Sequence, residues 1–415
     1  MVQKINFEKI KDAATLRGEL VRCMPRIEIH MLKSYKGLPN RGMDNAQKSI
    51  FFGDDERCRI SSQCLKSAIR KGASTENTWN TCNVGSIVAM EIKKEHPEAT
   101  DEYLETVDKI VRWQLTPKMT AKANGKDASQ KKDHLFKVCM ADILTFAKYI
   151  LEEFPLNNAV DDSQICYDPK DLKATAAGRL FLKMRETMTD REVSTEIAMF
   201  GRMSTSETLR SVDGAMCMNH AFSTNVMSGD IDEFSAADQW LNKGEMGAGM
   251  LGETSINFGC YYHYANLNML TFVENLMCGV DYTNPDSIRR RLETAVEAAV
   301  DFIRLYALTA PTAKQTSMAT FPLPDCMYIT AGVRTAPVSF ENAFANSVKA
   351  HDDEDIISLS VGRLIDAIED DTFNLNDYQK RIWIADKKFG SPDGVTRKNL
   401  KDCLADIRSY LTATF

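Results

Sequence analysis

The residues of this chain best placed to do chemistry lie in the stretch 57–71, Arg-Cys-Arg-Ile-Ser-Ser-Gln-Cys-Leu-Lys-Ser-Ala-Ile-Arg-Lys. Ser61 and Ser62 are of the types that cap helix N-termini, and Gln63 would open the helix. Lys66 and Arg70, four apart, fall on one helical face, while Leu65, Ala68 and Ile69 fall on another. Two hydroxyls, two cations and the free N–H groups at a positive dipole end make a place for phosphates. The plain alternative is a capped amphipathic helix with a solvated charged face. Taken alone, the stretch favours that alternative, because Lys and Arg on a wet face are ordinary.

The elements that must position these residues can be read from periodicity. Arg57 to Ile60 alternate polar and apolar, as a short strand does. Residues 26–33 alternate as a half-buried strand, with Ile27, Ile29 and Met31 inward. A loop over 37–45 carries Arg41 and leads to Lys48. Ahead of it, 4–21 reads as an amphipathic helix ended by Pro25. From 75 to 198 the pattern is mostly helical, with helices expected over 84–94, 102–115, 134–154 and 171–188. Within it, 117–133 is polar, Lys-rich and without periodicity: a solvated loop, or in the sharper reading one that touches DNA. Residues 212–226 and the aromatic-rich 255–268 read as two strands. Between them, 227–254 holds glycines at 229, 244, 247, 249 and 252, with Phe234 and Trp240. Such an insertion has too little apolar content for its own core and is expected to project as an arm that buries its aromatics in a partner. Helices follow over 288–307, 351–371 and 397–411.

Composition narrows the classes. The chain has 415 residues, 44% hydrophobic and 26% charged, with a net charge of −7. That is an ordinary globular balance with room for two or three domains, or for one with large insertions. Any nucleic-acid surface must be a local patch. The eleven cysteines include no C-x-x-C pair. With no signal-peptide pattern and no bilayer-length apolar run, a reduced, cytoplasmic protein without a membrane is expected, its cysteines acting as small core residues. The six histidines are scattered without metal-ligand spacing. There is no G-x-x-x-x-G-K-[ST], H-E-x-x-H or G-x-S-x-G. No catalytic residue, metal or cofactor is therefore assigned, and the chain is read as a non-enzyme.

Several short motifs occur in a telling order: Asn40-Arg41, Gln47-Lys48, Arg59-Ile-Ser-Ser-Gln, Leu65-Lys66, Gly201-Arg-Met, Asp230-Ile-Asp-Glu-Phe, Tyr264-Ala-Asn and Ala313-Lys-Gln. Together they resemble the backbone subunit of type I-E CRISPR Cascade, the CasC family, over 26–350. The resemblance implies an α+β fold: a ferredoxin-like palm related to the RNA-recognition (RRM) fold, a helical fingers insertion and a projecting β-hairpin thumb. The division would be an N-terminal extension helix (1–24), palm (25–71), fingers (72–200), palm (201–226), thumb arm (227–254), and palm with C-terminal helices (255–415).

The implied partners are CRISPR guide RNA, target DNA paired through the guide, other copies of the chain in a helical filament, and other Cascade subunits. Each thumb would fold over the guide and kink it at regular intervals. A lining that accepts any guide sequence must grip phosphate and sugar. By the same resemblance Arg41 and Lys48 would touch guide phosphates, and Ser61, Gln63, Lys66 and Arg70 the guide backbone. Met203 would wedge beside the kinked nucleotide, an unbranched apolar side chain amid polar neighbours. Phe234 would pack on a base, or equally on a neighbouring subunit. Lys314 and Gln315 match a palm motif without an assigned role. Two departures stand out: Asp54-Asp-Glu is acidic where basic character is expected, and Glu233 replaces a second aromatic beside Phe234. The extra N-terminal helix is expected to dock on a neighbouring subunit or another Cascade component. Two rival classes remain, a metal-dependent RNA endonuclease using Asp44, and a scaffold that binds no nucleic acid.

Overall fold

A computed structural model describes residues 4–37, 47–73, 78–116, 134–156, 161–237, 248–311, 313, 315–351, 354–370 and 376–415. The centre is β1 (Pro25–Gly37), which pairs antiparallel with β9 (Ala248–Asn268) on one side and β10 (Cys326–Val333) on the other. The main sheet runs in the order β12 (Thr396–Arg397), β11 (Lys380–Ala385), β10, β1, β9, β7 (Ala221–Ser223), β3 (Asp55–Ile60), β2 (Ser49–Phe52). The short β6 (Met216–Met218) also pairs with β9, so the strand expected over 212–226 is broken in two.

The half-buried reading of 26–33 needs correction. Ile27, Ile29 and Met31 do point into a core, but Glu28, His30 and Leu32 on the opposite face are equally buried, at 0–2% exposure. The second cover comes from Phe340, Phe344 and the helix Ile356–Glu369, which lie more than 300 residues along the chain. The first face packs against α1 (Ala13–Cys23) and, in chain order, α7 (Thr195–Phe200), α8 (Met269–Leu276), α9 (Pro285–Leu308) and α11 (Leu400–Thr412), with α10 being Ile356–Glu369.

The helix expected over 4–21 starts later. Asp12 accepts from the Thr15 N–H and caps α1, and a single 3₁₀ turn, Phe7–Lys9, precedes it. Leu16, Leu20 and Cys23 sink into the core on this face of the sheet, so the apolar face of this helix is already covered by its own chain. Arg17, Val21 and Arg22 are among its residues that stay exposed.

The insertion between α2 (Ser62–Gly72) and α7 has a separate core. It is built by α3 (Val84–Glu95), α4 (Asp101–Leu115), α5 (Met140–Glu153) and α6 (Ala176–Glu186), around Val88, Ile92, Val107, Ile143, Phe146, Ile150 and Leu180. The expected helix 134–154 is divided: Phe136–Cys139 is strand β5, paired with β4 (Thr78–Thr81), and α5 begins at Met140. The Lys-rich loop 117–133 lies outside the described residues.

The arm is a long antiparallel pair, β8 (Gly229–Ala237) against the first half of β9. Nine residues of strand reach about 30 Å from the sheet. β9 runs unbroken from the arm into the palm, where it pairs with β1. Cys23, Cys58, Cys139, Cys260, Cys326 and Cys403 are core residues as expected, whereas Cys166 and Cys217 are exposed.

Candidate nucleic-acid interface

The strand-to-helix reading of 57–71 holds, with the helix opening at Ser62, one residue before the expected Gln63. β3 ends at Ile60, Ser61 is extended with φ −67° and ψ 145°, and its hydroxyl accepts from the Cys64 N–H at 3.3 Å. Of the two candidate caps, Ser61 is the cap and Ser62 is buried as the first helical residue. Leu65, Ala68 and Ile69 bury the inner face of α2, and the two larger ones contribute about 2 kcal/mol each. Gln63 stays exposed at the first turn.

Lys48 is brought to the same place by pairing. The Arg59 N–H donates to the Lys48 carbonyl at 2.8 Å, and the buried Gln47 amide donates to the Lys48 and Arg59 carbonyls. Lys48 therefore flanks the start of α2, close enough to act electrostatically on Cys64. One turn further, burial and then the adjacent Arg70 charge hold the Lys66 ammonium below its ordinary value, against an opposing pull from Cys217.

Lys66 and Arg70 share a partner that the sequence reading passed over. Both lie against the ring of Phe200, at 5.8 and 5.9 Å from its centroid. Phe200 ends α7 and packs on Phe302 of α9. Arg70 also meets Glu196 at 3.6 Å, and Lys137 meets the same carboxylate at 3.0 Å. Behind Arg70 a groove of about 900 Å³ opens between α2, α7 and α9, with Glu196, Glu293, Glu297 and Asp301 on its walls. Arg290 and Arg304 line the same groove, so its charge is mixed, and Asp301 and Glu297 are paired with Arg304 and Arg408.

Met203 follows Phe200 by three residues. After Phe200 the chain turns at Gly201, with φ +81°, where a Cβ would come within 2.9 Å of the Gly214 nitrogen and the Val212 oxygen. Arg202 then pairs backbone to backbone with Val212, and Met203 stands out at 93% exposure. Ser204 and Ser211 close the loop by exchanging hydrogen bonds. Without the family resemblance an apolar residue here reads as core, and the structure puts it in the open.

On the arm, Phe234 is 41% exposed and lies over Gly252 of β9, its ring occupying the space a Cβ would take. Ile231 and Leu251 are exposed as well. Gln315 is differently employed. Its amide donates to the Pro311 and Thr320 carbonyls and accepts from the Thr320 N–H, all at 2.7 Å. It staples its own loop instead of offering a free contact. Arg41, Lys314 and Asp44 lie outside the described residues. Among the described residues, no three His, Cys, Asp or Glu side chains are placed to hold a metal, and no helix is long and apolar enough to cross a membrane.

No curated protein matches the chain. Two solved structures that share its fold carry the titles "CRISPR RNA-guided surveillance complex, pre-nicking" and "CRISPR RNA-guided surveillance complex". The first is 21% identical, covers 94% of this chain and 100% of its own, and superposes with a TM-score of 0.67. The second is 19% identical, covers 92% of this chain and 99% of its own, with a TM-score of 0.62. The family described as CT1975-like protein matches residues 27–409, from the second residue of the resemblance region into the last helix, and the chain belongs to that family.

Proposed function

We propose that this protein is a guide-RNA-binding backbone subunit of a type I-E Cascade, working in the cytoplasm without catalysing a reaction. Copies stack along one guide, grip its sugar–phosphate backbone, kink it at a regular step, and leave the bases between kinks free to pair with target DNA. The strand order β10-β1-β9-β7, with α2 and α9 packed together on one face, supports a ferredoxin-like palm. The observation that carries the reading is the grouping of the capped N-terminus of α2 with Lys48 and Lys66, the latter against Phe200, and the bare thioether of Met203 three residues further along the chain. Cations and helix N–H groups suit phosphate, and an apolar wedge suits a displaced base.

The test is guide retention by the complex assembled with its sister subunits. Lys48→Ala with Lys66→Ala should lower retention about tenfold to a hundredfold and flatten its salt dependence by about 1.4 in log–log slope, 0.7 for each lost phosphate contact. Unchanged retention and slope overturn the reading. Complementary RNA added with Mg²⁺ should stay intact, and cuts at a regular step would instead establish a nuclease.

A further inference from the structure

Arg202 and Met203 are chain neighbours with opposite surroundings, 5% and 93% exposed. Arg202 reaches inward to Asp142, which is fully buried in the first turn of α5, at 2.6 Å. The other carboxylate oxygen of Asp142 accepts from Arg191 at 3.3 Å. Arg202 also donates to the Arg210 carbonyl, and Arg191 to the Thr208 and Met184 carbonyls. Two guanidiniums, Arg202 at the start of the Met203 loop and Arg191 ahead of α7, thus close on one carboxylate that belongs to the helical insertion. The loop is anchored there twice more. Leu209 is part of the insertion's core, and Thr208 is fully buried and donates to the Gln114 carbonyl of α4. The chain lies in the core of the main sheet just before this loop, at Ile197, Ala198 and Met199, and returns to it at Val212.

We propose that Asp142 is a positioning residue for the Met203 wedge, so that the fingers, more than the palm, set where the guide is kinked. A single buried carboxylate holding two arginines fixes their geometry tightly. Loss of its charge leaves both cations without a counter-ion and frees the loop by fractions of an ångström. The phosphate grip at Lys48 and Lys66 lies on other elements and is unaffected. The inference rests on the guide-binding reading above.

The test uses the full chain assembled with its sister subunits on a guide RNA, and reads the reactivity of each guide base to a base-modifying reagent such as dimethyl sulfate. The wild-type complex should show reactive bases at a regular step. In Asp142→Asn the guide should be retained within about twofold, while the contrast between displaced and neighbouring bases falls at least about threefold. Met203→Ala should lose the contrast at least as fully, and the double variant should fall no further than Met203→Ala alone. Asp142→Glu, which keeps the charge, should recover part of it. Thr208→Val loosens the same loop by a milder route and should give a smaller loss, which keeps the idea testable if Asp142→Asn does not assemble. Full periodic contrast in a loaded Asp142→Asn complex, or in Thr208→Val where the former fails to assemble, overturns the inference. A uniform loss of guide and contrast together in both variants also overturns it, because that is what a merely structural residue gives. A wild-type complex without guide or without periodicity removes the guide-binding reading itself.

Discussion

The centre of the palm and the arm belong to one sheet and use the same antiparallel pairing, yet they are buried in opposite ways. β9 takes part in both: its second half pairs with β1 between two hydrophobic layers, and its first half pairs with β8 in the open. Even polar residues on β1 are sealed, with Glu28, His30 and Lys33 at 0–2% exposure. On the arm Ile231 and Leu251 are 66% and 78% exposed. Strand pairing satisfies the backbone in both places, but only the palm has side-chain layers to hold it. The centre of the sheet is therefore covered by its own chain, whereas the arm leaves Ile231 and Leu251 bare.

The sharpest way to test that contrast is to damage the palm. The buried Arg57 guanidinium donates to the carbonyls of Ser223, Thr224, Phe344 and Ala345, joining β7 to the loop that covers the second face. Arg57→Met strands these acceptors and should destabilise the isolated chain by about 3 kcal/mol or more in urea unfolding. A loss under about 1 kcal/mol would mean the cover is looser than described.

A smaller, pH-dependent effect should come from Lys33, whose ammonium donates to the Ala307 and Thr309 carbonyls at the end of α9. Burial lowers it from 10.5 to about 8. The folded chain then binds this proton less readily than the unfolded one. Its contribution to stability is complete above 10.5 and lost as pH falls through about 8. Measured as wild type minus Lys33→Met, which cancels the contributions of the buried thiols, unfolding stability should rise with pH through about 8. A flat difference would show that the amine is not sealed in the palm.

The least effect on the chain itself should come from the arm. Ile231→Ser with Leu251→Ser should change the stability of the isolated chain by less than about 0.5 kcal/mol. The same pair should cut assembly on a guide at least about tenfold, seen by size-exclusion chromatography, because exposed apolar positions matter only where a partner covers them. Stability loss without assembly loss would reverse the comparison.

Local features were legible in the sequence, and distant ones were not. Ser61 and the alternation before it revealed the strand, the cap and the helix, because capping and periodicity act within a few residues. The glycines and the scarce apolar content of 227–254 revealed the arm for the same reason. Phe200 was read only as part of a helical stretch, since its two cation partners lie on α2, more than 100 residues earlier. The Asp142, Arg191 and Arg202 cluster joins residues 49 and 60 positions apart, with no spacing to betray it. The second burial of β1 was missed because alternation is a one-face signal, and a chain segment supplied 300 residues later leaves no trace in it. Met203 needed the family resemblance, since nothing in a methionine announces exposure.

The placement of β1 also has a consequence for how the protein is made. Its two neighbours, β9 and β10, end at Asn268 and Val333. A ribosome moving from the N-terminus must release more than two hundred further residues before either appears, and until then the central strand of the sheet is unpaired on both edges. The fingers, whose helices contact near neighbours in sequence, can fold while the palm still waits. Synthesis rate and chaperone supply, more than final stability, should therefore govern how much of this subunit a cell obtains in usable form.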